Sequence, residues 1–450
     1  MPKELNEEMI LQKKQVFSSD CKVKLSAACT PGSGILVLND DQRLQALKEF
    51  DSSNPKPVFF IPASGSGSRM FQFLFEWLET KEETPLVKSF FDKVESMAFF
   101  KLKGLELKNE IEFVHQLLDR TQLNLGDKPK GLIPFHEENG RFYTAFQDQL
   151  RQAHRLTQNE TEIHFTIQPE FEKEIKNHLN LLNLDVQLNF SYQDENTNAY
   201  CFDENQEVIE SNGVPLRRPA GHGALLDNLN KIDSDFVLIK NIDNVQHTSK
   251  SNLTAETWKE AIGVLLQFQN SLKELSKNYS LDKLDALNAV YQFLSPSEMA
   301  EMNETKLALL ANRPTRVCGM VKNEGEPGGG PFWVEQNGKI TKQIIEKAQI
   351  SNAVDQQEIV SRSTHFNPVF IVVSKSDCKG NRLDLTSFRD DDAFFVVEKS
   401  QFGKKVFYRE LPGLWNGAMS NWNTIFIDIP SETFSPVKTI VDLTKPAHTA

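Results

Sequence analysis

Residues 57–71 have the sequence PVFFIPASGSGSRMF, and this stretch decides how the fold is interpreted. Residues 58–61 are apolar β-formers, which predicts a buried strand. The run continues directly into a glycine and serine loop that ends at Arg69. Glycine lets the backbone approach an anion closely, and a helix that begins after the loop offers unpaired N–H groups. The stretch therefore predicts a strand, an anion-binding loop and a helix in that order.

The bulk composition narrows the class of protein. The chain has 450 residues, 39% of them hydrophobic and 25% charged, which is enough for a sizeable core and two or three domains. The formal net charge of -12 argues against binding to nucleic acids or anionic membranes, since both require a basic surface. The N-terminus lacks the apolar core of a signal peptide, and no apolar run is long enough to cross a membrane. The sequence thus predicts a cytoplasmic globular protein and leaves its oligomeric state open.

The cysteines predict neither a disulfide framework nor a zinc site. They are odd in number and no two stand at CxxC spacing. We expect free thiols at all five positions: Cys21, Cys29, Cys201, Cys318 and Cys378.

The periodicity of apolar residues predicts an α/β protein with one mainly parallel sheet. Helical patterns fill residues 71–125 and 255–311, and they are expected to form two helical insertions. Short β-rich segments are expected at 58–61, 162–167, 186–192, 235–240, 316–321, 369–373, 394–398 and 424–429.

The loop pattern G-x-G-[ST]-R-M, which ends at Met70, resembles the opening signature of the nucleotidyltransferases that make nucleotide sugars. A Rossmann fingerprint would need a glycine where Met70 stands, and a Walker A loop would need GK[ST]. In the resembled superfamily a Pro-Lys pair follows shortly, and GDKPKGLIPF supplies Pro129 and Lys130 after a helical insertion. The loop alone is also compatible with a plain strand-to-helix turn.

The segment RRPAGHGALLDNLNKIDSDFVLIKNIDNV, residues 217–245, resembles the PxGHG segment of UDP-glucose pyrophosphorylases. That resemblance implies contacts of the GHG turn with the base and sugar of a nucleotide. The strand that follows leads to Asn241 and Asp243, as in the "vDN" of those enzymes. The carboxyl end of a strand is where an α/β sheet places ligand groups, and a carboxylate with phosphate oxygens suits magnesium.

Three later segments, GKITKQIIEKAQI, STHFNPVFIV and ETFSPVKTIVDL, resemble sugar-contacting strands and the "FSPLKN" of UDP-N-acetylhexosamine pyrophosphorylases. The resemblance implies sugar contacts from Asn241, Glu346, Asn367 and Lys438. THFNPV, VCGMVKNEGEPGGGPF and LPGLWNGAMSNWNT also resemble an uncharacterised bacterial domain family assigned to this superfamily.

Together these resemblances imply a Rossmann-like nucleotidyltransferase core, GT-A-like, that joins UTP to a sugar 1-phosphate with Mg2+ and releases pyrophosphate. Arg69 would hold the leaving pyrophosphate, Lys130 would neutralise the α-phosphate and Asp243 would bind the metal. The Gln193 amide can read a base edge because it both donates and accepts. The implied nucleotide contacts are Ala63, Ser64, Gly65, Ser66, Gly67, Ser68, Gln193, Gly221, His222 and Gly223.

The expected organisation has four consecutive segments. Residues 1–50 are an N-terminal helical arm, and 51–254 are a nucleotide-binding half that contains the insertion 71–125. Residues 255–311 are a second helical insertion, and 312–450 are a sugar-binding half with the C-terminal segment.

Structural roles remain open for several of these residues. Arg69 could pair with a carboxylate of the insertion, a ring nitrogen of His222 could bond to backbone, and Glu346 could be an ordinary strand residue. The turn GEPGGGPF, residues 325–332, could cradle a ligand or be a tight structural turn. The alternative function is a nucleotide- or nucleotide-sugar-binding protein, or a sugar transferase. A sugar transferase normally has D-x-D at this strand end, where the present chain has Asn241 in the first position.

Overall fold

The computed structural model of the protein describes residues 6–18, 22–157, 161–325, 328–336, 338–401 and 404–450. The described helices are α1 (Glu7–Val16), α2 (Asp40–Ser53), α3 (Ser68–Thr80), α4 (Pro85–Lys93), α5 (Ala98–Lys103), α6 (Glu110–Leu118), α7 (Ala145–Thr157), α8 (Glu172–Asn180), α9 (Leu226–Lys231), α10 (Ser251–Lys277), α11 (Leu281–Tyr291), α12 (Pro296–Ala300), α13 (Glu304–Ala311) and α14 (Val354–Ser361).

The strands of the described residues are numbered in chain order. They are β1 (Lys24–Ala28), β2 (Thr30–Pro31), β3 (Gly34–Leu36), β4 (Val58–Pro62), β5 (Pro134–Glu138), β6 (Arg141–Thr144), β7 (Thr161–Thr166), β8 (Val186–Ser191), β9 (Ala199–Tyr200), β10 (Glu210–Ser211), β11 (Val214–Pro215), β12 (Arg217–Arg218), β13 (Phe236–Ile239), β14 (Thr315–Lys322), β15 (Gly330–Gln336), β16 (Lys339–Ile345), β17 (His365–Phe366), β18 (Ile371–Ser374), β19 (Phe395–Gln401), β20 (Lys404–Glu410) and β21 (Asn423–Asp428).

The chain divides into two compact units, which are described separately. Unit 1 comprises Met1–Ser53, Gln193–Phe236 and Ala261–Asp428, and unit 2 comprises Asn54–Tyr192, Val237–Glu260 and Ile429–Ala450. The units interleave along the chain, whereas the sequence predicted four consecutive segments. None of the described helices has the length and apolar character needed to cross a membrane.

Unit 2 is built on four parallel strands in the order β13-β4-β7-β8. The four residues of β4 that precede Pro62 are buried, as expected for a parallel strand covered on both faces. Helices α3 to α6 occupy the predicted insertion. The first of them buries Met70, Phe71, Leu74 and Trp77, which recur at helical spacing on one face. Burying a phenylalanine such as Phe71 contributes roughly 1.5–3 kcal/mol, so this face fixes the helix that starts at the glycine loop.

Unit 1 contains a mixed sheet in the order β2-β3-β21-β14-β18, in which β18 pairs antiparallel with β14 and the other neighbours in this order are parallel. Strand β17 also pairs antiparallel with β14. A second, antiparallel sheet has the order β1-β15-β16. Strands β19 and β20 pair antiparallel in a separate two-stranded sheet. The α/β class and all eight predicted strands are therefore confirmed.

The predicted helical arm needs a correction. Residues 1–50 contain α1 and most of α2, but residues 24–36 between them form three strands. These strands are short, and two of them are held by partners distant in sequence, since β1 pairs with β15 and β3 with β21. A local pattern cannot reveal such pairing.

The cysteines are free thiols as predicted at the four described positions, Cys29, Cys201, Cys318 and Cys378, all of which are buried. Burial raises the pKa of Cys29 to about 12 and that of Cys318 to about 11, so both stay protonated and unreactive. Cys21 lies outside the described residues.

Candidate functional site

The predicted loop follows β4 directly. The Ala63 N–H extends the β4–β7 ladder by donating to the Thr166 carbonyl at 2.8 Å. Helix α3 then begins at Ser68, and its N-cap, Gly67, provides no side-chain cap. The first turn also lacks an acidic residue. The helix N-terminus therefore keeps its partial positive charge and N–H groups available beside the loop.

The loop is closed by the segment that carries Lys130. The Gly67 N–H donates to the Lys128 carbonyl at 2.7 Å, and the Lys130 N–H donates to the Gly65 carbonyl at 3.0 Å. A Cβ on Gly67 would lie 2.8 Å from the Leu125 carbonyl oxygen, so this approach requires glycine. Although four helices separate them in sequence, the loop and Lys130 lie side by side, as the resemblance implied.

Two lysines meet on one carboxylate in unit 2. Lys130 Nζ lies 2.9 Å and Lys438 Nζ 3.0 Å from Asp243 Oδ2. Lys130 also donates to the Val437 carbonyl at 3.1 Å. The Asp243 side chain is 7% exposed, that of Lys130 15% and that of Lys438 52%. Lys438 was predicted among the sugar contacts, and the structure places it in this cluster.

The charged groups of the cluster shift the pKa values of Asp243 and Lys130. Burial by itself raises the pKa of Asp243, but the two lysines outweigh it and lower that pKa below its ordinary value. Burial lowers the pKa of Lys130, Asp243 opposes this, and the cations of Lys438 and Arg69 lower it further. Arg69 is exposed, and no hydrogen bond or ion pair joins its side chain to any described residue. Two lysines thus share one carboxylate and Arg69 acts on one of them, which leaves excess positive charge beside the loop.

The backbone around Asp243 is held by a residue that the sequence did not single out. Gln149 on α7 is 1% exposed. Its Nε2 lies 3.0 Å from the Asn241 carbonyl, 3.1 Å from that of Ile242 and 3.2 Å from that of Asn244. Its contacts are with chain segments far from it in sequence, so no local pattern signals its role. The Asn241 side chain itself has no hydrogen bond to a described residue.

The C-terminal segment, residues 435–448, brings Lys438 to Asp243. The Val437 N–H donates to the Asp243 carbonyl at 3.0 Å, and the Ser435 N–H donates to Asn244 Oδ1 at 2.9 Å. The N–H groups of Lys438 and Thr439 both donate to Asp442 Oδ2, at 2.8 and 2.7 Å. This segment is therefore bonded on both sides of Lys438.

A buried chain of titratable groups anchors the end of that segment. Asp148 Oδ2 lies 2.7 Å from His136 Nδ1, and His136 Nε2 lies 2.9 Å from His448 Nδ1. The three residues are at most 4% exposed. Burial, with His136 as the next contribution, lowers the pKa of His448 to about 3. His448 is therefore uncharged at neutral pH.

Three predicted nucleotide contacts of unit 1, Gly221, His222 and Gly223, lie on a tight turn. Gly221 has a φ of +73°, a left-handed conformation that favours glycine. His222 Nδ1 accepts a hydrogen bond from the Leu414 N–H at 2.9 Å, so the bond to backbone left open by the sequence is present. The ring stacks on Trp415 at 4.0 Å between centroids. Gln193 Nε2 is buried and has no hydrogen-bond partner among the described residues.

Two predicted sugar contacts of unit 1 have structural bonds. Glu346 Oε1 lies 3.6 Å from His222 Nε2, and its carboxylate also caps the following turn. Both ends of the Asn367 amide are bonded, because Nδ2 donates to the Gly319 carbonyl and Oδ1 accepts from the Val369 N–H, at 2.9 and 3.1 Å. The structure brings Glu346 to His222, whereas Asn367 is occupied by backbone. Trp415 lies in the segment LPGLWNGAMSNWNT, and no role was predicted for it.

The described part of the GEPGGGPF turn has a packing role. The Gly329 carbonyl accepts from the Asn367 N–H at 2.9 Å, and Gly329 lies close against Ile344. Residues 326 and 327 lie outside the described residues.

Asp243 suits magnesium that arrives with a phosphate ligand. Among the described residues no group of three or more His, Cys, Asp or Glu could hold a metal ion by itself. Magnesium is usually held by one or two carboxylates together with substrate phosphates and water. Asp243 Oδ1 is buried and has no hydrogen-bond partner among the described residues, so one carboxylate oxygen carries no bond from them.

These features define an α/β protein with a cation-lined glycine loop at the carboxyl end of a parallel strand. The chain belongs to the family described as "Domain of unknown function (DUF4301)", whose model matches residues 1–449. No curated protein matches the sequence.

Solved structures that align with this chain include several nucleotidyltransferases. The UDP-N-acetylglucosamine pyrophosphorylase from Trypanosoma brucei is 13% identical, covering 93% of this chain and 71% of its own, with a TM-score of 0.48. The UDP-glucose phosphorylase from Trypanosoma brucei is 13% identical, covering 95% and 70%, with a TM-score of 0.44. The inositol-1-phosphate CTP transferase from T. maritima is 9% identical, covering 83% and 86%, with a TM-score of 0.31. The predicted resemblance to an uncharacterised domain family is confirmed by the family model.

Proposed function

We propose that this protein transfers a nucleotidyl group from a nucleoside triphosphate, UTP in preference, to a sugar 1-phosphate and releases pyrophosphate. The observation that carries the proposal is the meeting of Lys130 and Lys438 on Asp243, with the Lys130 backbone bonded to the glycine loop. This arrangement fixes positive charge where a polyphosphate chain can lie against loop N–H groups.

The chemistry needs no nucleophilic side chain. An oxygen of the sugar phosphate forms a bond to the α-phosphorus, and the bond from that phosphorus to the bridging oxygen of the β-phosphate breaks. Pyrophosphate leaves with the electron pair. Negative charge grows on the α-phosphate oxygens and on the leaving group, so fixed cations lower the barrier most effectively.

Each cation has a distinct task in the proposal. Lys130 is held in place by Asp243 and the Val437 carbonyl, so it needs little reorganisation when it stabilises the α-phosphate. Arg69 and the N–H groups of the loop hold the pyrophosphate portion. Lys438, which is half exposed, binds the phosphate of the incoming sugar 1-phosphate.

Asp243 would hold a magnesium ion through Oδ1, the oxygen that carries no lysine. When bound, the ion supplies charge neutralisation on the phosphates. The orientation of the lysines depends on Oδ2 and is a property of the chain itself.

The preference for a uracil base has support from Gln193. Its Nε2 is a buried donor without a described partner, and the two carbonyl groups of uracil are acceptors for such a donor. The turn at Gly221, His222 and Gly223 would contact the base and sugar, as the resemblance to uridylyltransferases implies.

The test measures pyrophosphate release from each of four nucleoside triphosphates with magnesium and a broad panel of sugar 1-phosphates. We expect release with UTP and at least one hexose 1-phosphate, together with formation of the matching UDP-sugar. Binding is measured separately by the shift in unfolding temperature. If UTP binds and no sugar phosphate gives release, the protein is a nucleotide-binding protein without this activity, and the proposal is rejected.

A further inference from the structure

Strand β8 is the outer strand in the order β13-β4-β7-β8, and one of its two sides pairs with β7. The N–H of Ile167, the residue after β7, donates to the Ser191 carbonyl at 2.9 Å. Ser191 and every second residue before it in β8 therefore turn their backbone groups toward β7, as a parallel ladder requires. The alternate residues turn theirs outward, and these are Val186, Leu188 and Phe190.

The outward backbone groups of β8 have no partner within the described part of the chain. No described residue forms a hydrogen bond with the N–H or carbonyl group of Val186, Leu188 or Phe190. The side chains of these residues are half-buried, so the strand is not fully covered. A row of unpaired N–H and carbonyl groups on a strand of this length is a template for pairing with another strand.

Other strands at sheet edges carry features that oppose such pairing. Strand β1 begins with Lys24 and has a register shift, and β2 has only two residues, one of which is Pro31. Strand β16 begins with Lys339. Charges, proline and irregular pairing are the means by which monomeric proteins protect an edge. The sequence of β8, VQLNFS, has neither a charge nor a proline, and its register with β7 is regular.

The side chains of β8 match a second copy of the same strand in antiparallel orientation. Lys176 Nζ on α8 lies 5.2 Å from the centre of the Phe190 ring, so Phe190 and its alternate neighbours face α8. With Leu188 opposite Leu188 of the second copy, Val186 lies opposite Phe190 and Phe190 opposite Val186. Each facing pair exchanges two backbone hydrogen bonds, and an aromatic ring opposite a β-branched side chain is a favourable pair. This reciprocity is what a two-fold dimer requires.

The opposite face of β8 is compatible with the same register. Gln187 would lie opposite Asn189 of the second copy, so two uncharged amides meet. The nearest acidic side chain on this face is already engaged, because Glu162 accepts from Asn189 Nδ2 at 2.7 Å. No like charges of β8 therefore oppose each other in the antiparallel pair.

We propose that β8 is an interface at which two copies of this chain pair edge to edge in antiparallel orientation. Contact through one strand buries less surface than a permanent dimer usually does, so the dimer should dissociate on dilution. The strand lies wholly in unit 2, and its pairing does not depend on nucleotidyl transfer.

The test measures the mass of the full chain by sedimentation velocity over a wide concentration range. We expect a species of twice the chain mass whose share rises with concentration. Leu188→Pro should weaken association about tenfold to a hundredfold, because it removes one outward N–H donor from each copy. Proline is tolerated on an edge strand where the N–H faces away from the sheet, so unfolding should remain cooperative.

The matched control is Leu188→Ala, which removes the same leucine side chain and keeps the N–H group. It should weaken association less than Leu188→Pro does. The comparison separates loss of the backbone hydrogen bond from loss of side-chain packing.

A second measurement does not need the proline variant to fold. Residues that face each other in a hydrogen-bonded antiparallel pair are about 5.5 Å apart between Cα atoms, which suits a disulfide. Leu188→Cys should therefore give a covalent dimer on mild oxidation. Leu181→Cys, at a position that is 77% exposed but does not meet itself in this register, should cross-link much more slowly. The original chain gives the background, since its four described cysteines are buried.

Three results would each overturn the proposal. The chain could stay monomeric at every concentration, Leu188→Pro could associate as tightly as Leu188→Ala, or Leu188→Cys could cross-link no faster than Leu181→Cys. In each case the β8 edge would pair with a different chain or with none.

Discussion

The Asp243 cluster of unit 2 and the His222–Trp415 pair of unit 1 differ in how their polar groups are used. In the cluster, Lys130 and Lys438 share the Asp243 carboxylate, and the charge of Arg69 acts on Lys130. Asp243 Oδ1 has no hydrogen-bond partner among the described residues. In the pair, the His222 ring is stacked on Trp415 and its Nδ1 is bonded to backbone.

This difference indicates that the predicted residues of the Asp243 cluster and of the His222–Trp415 pair have different roles. A cluster with excess positive charge gains from binding an anion, since its cations repel one another until a counter-charge arrives. A stacked, hydrogen-bonded histidine is already satisfied and mainly fixes the shape of its turn. We therefore expect the cluster to dominate any phosphate chemistry and the pair to contribute mainly to local stability.

The largest effect should come from removing the shared carboxylate. Asp243→Ala should lower the free energy of unfolding by about 3–5 kcal/mol, because it leaves the largely buried Lys130 without its counter-charge. Urea unfolding measures this, and added pyrophosphate should restore part of the loss. Asp127→Ala, which breaks an exposed pair with Arg120, should cost less than about 1 kcal/mol. Equal losses in the two variants would contradict the comparison.

The next largest effect should be on the rate of pyrophosphate release. Lys130→Ala should lower kcat for pyrophosphate release about 100- to 1000-fold with little change in KM, since its charge acts mainly on the transition state. Lys128 lies two residues away and pairs with Glu174, so Lys128→Ala is the matched control and should be near normal. His222→Ala should lose less activity than Lys130→Ala. If His222→Ala lost more activity than Lys130→Ala, the groups essential for the reaction would lie at the His222–Trp415 pair and not in the Asp243 cluster.

The pH dependence of stability should reveal the anchor of the segment that carries Lys438. Since the pKa of His448 is about 3 in the folded protein against 6.5 as a reference, the unfolded chain protonates first. Its stabilising contribution is complete above pH 6.5 and is lost as pH falls from 6.5 toward 3. Between pH 6 and 4.5 this costs about 1.4 kcal/mol per pH unit.

The measurement is urea unfolding at a series of pH values for the original chain and for His448→Asn. Between pH 6 and 4.5 the free energy of unfolding of the variant should fall less steeply than that of the original chain, by about 1.4 kcal/mol per pH unit. Asp243, whose pKa is lowered, also loses stabilisation in acid, but below the carboxyl reference value. Identical slopes in the two proteins would show that the buried histidine chain does not titrate as described.

The smallest effect is expected at the stacked pair. His222→Ala should lower the free energy of unfolding by about 1–2 kcal/mol, through loss of one hydrogen bond and one ring contact. Tryptophan fluorescence should change because Trp415 loses its stacked neighbour. His115→Ala removes an exposed histidine and should change neither quantity. A loss comparable to that of Asp243→Ala would remove the distinction between the two regions.

Much of the fold could be predicted because the relevant signals are local. The eight predicted strands and both helical blocks follow from periodicity, and the strand, loop and helix at 57–71 follow from residue type. The neighbouring positions of the glycine loop, Lys130 and Asp243 were implied by a resemblance and are present in unit 2. The nucleotide and sugar roles of the site residues remain predictions.

The sequence by itself determined the α/β class and the glycine loop after β4, because strand propensity, helix periodicity and glycine conformation act over a few neighbouring residues. The charged residues of the Asp243 cluster were implied by the family resemblance. Only the tertiary structure decided that Lys438 lies on Asp243, that Gln149 holds the same backbone and that residues 24–36 form strands. These features depend on contacts between segments far apart in the chain, whose stability comes from burial and pairing that no local stretch encodes.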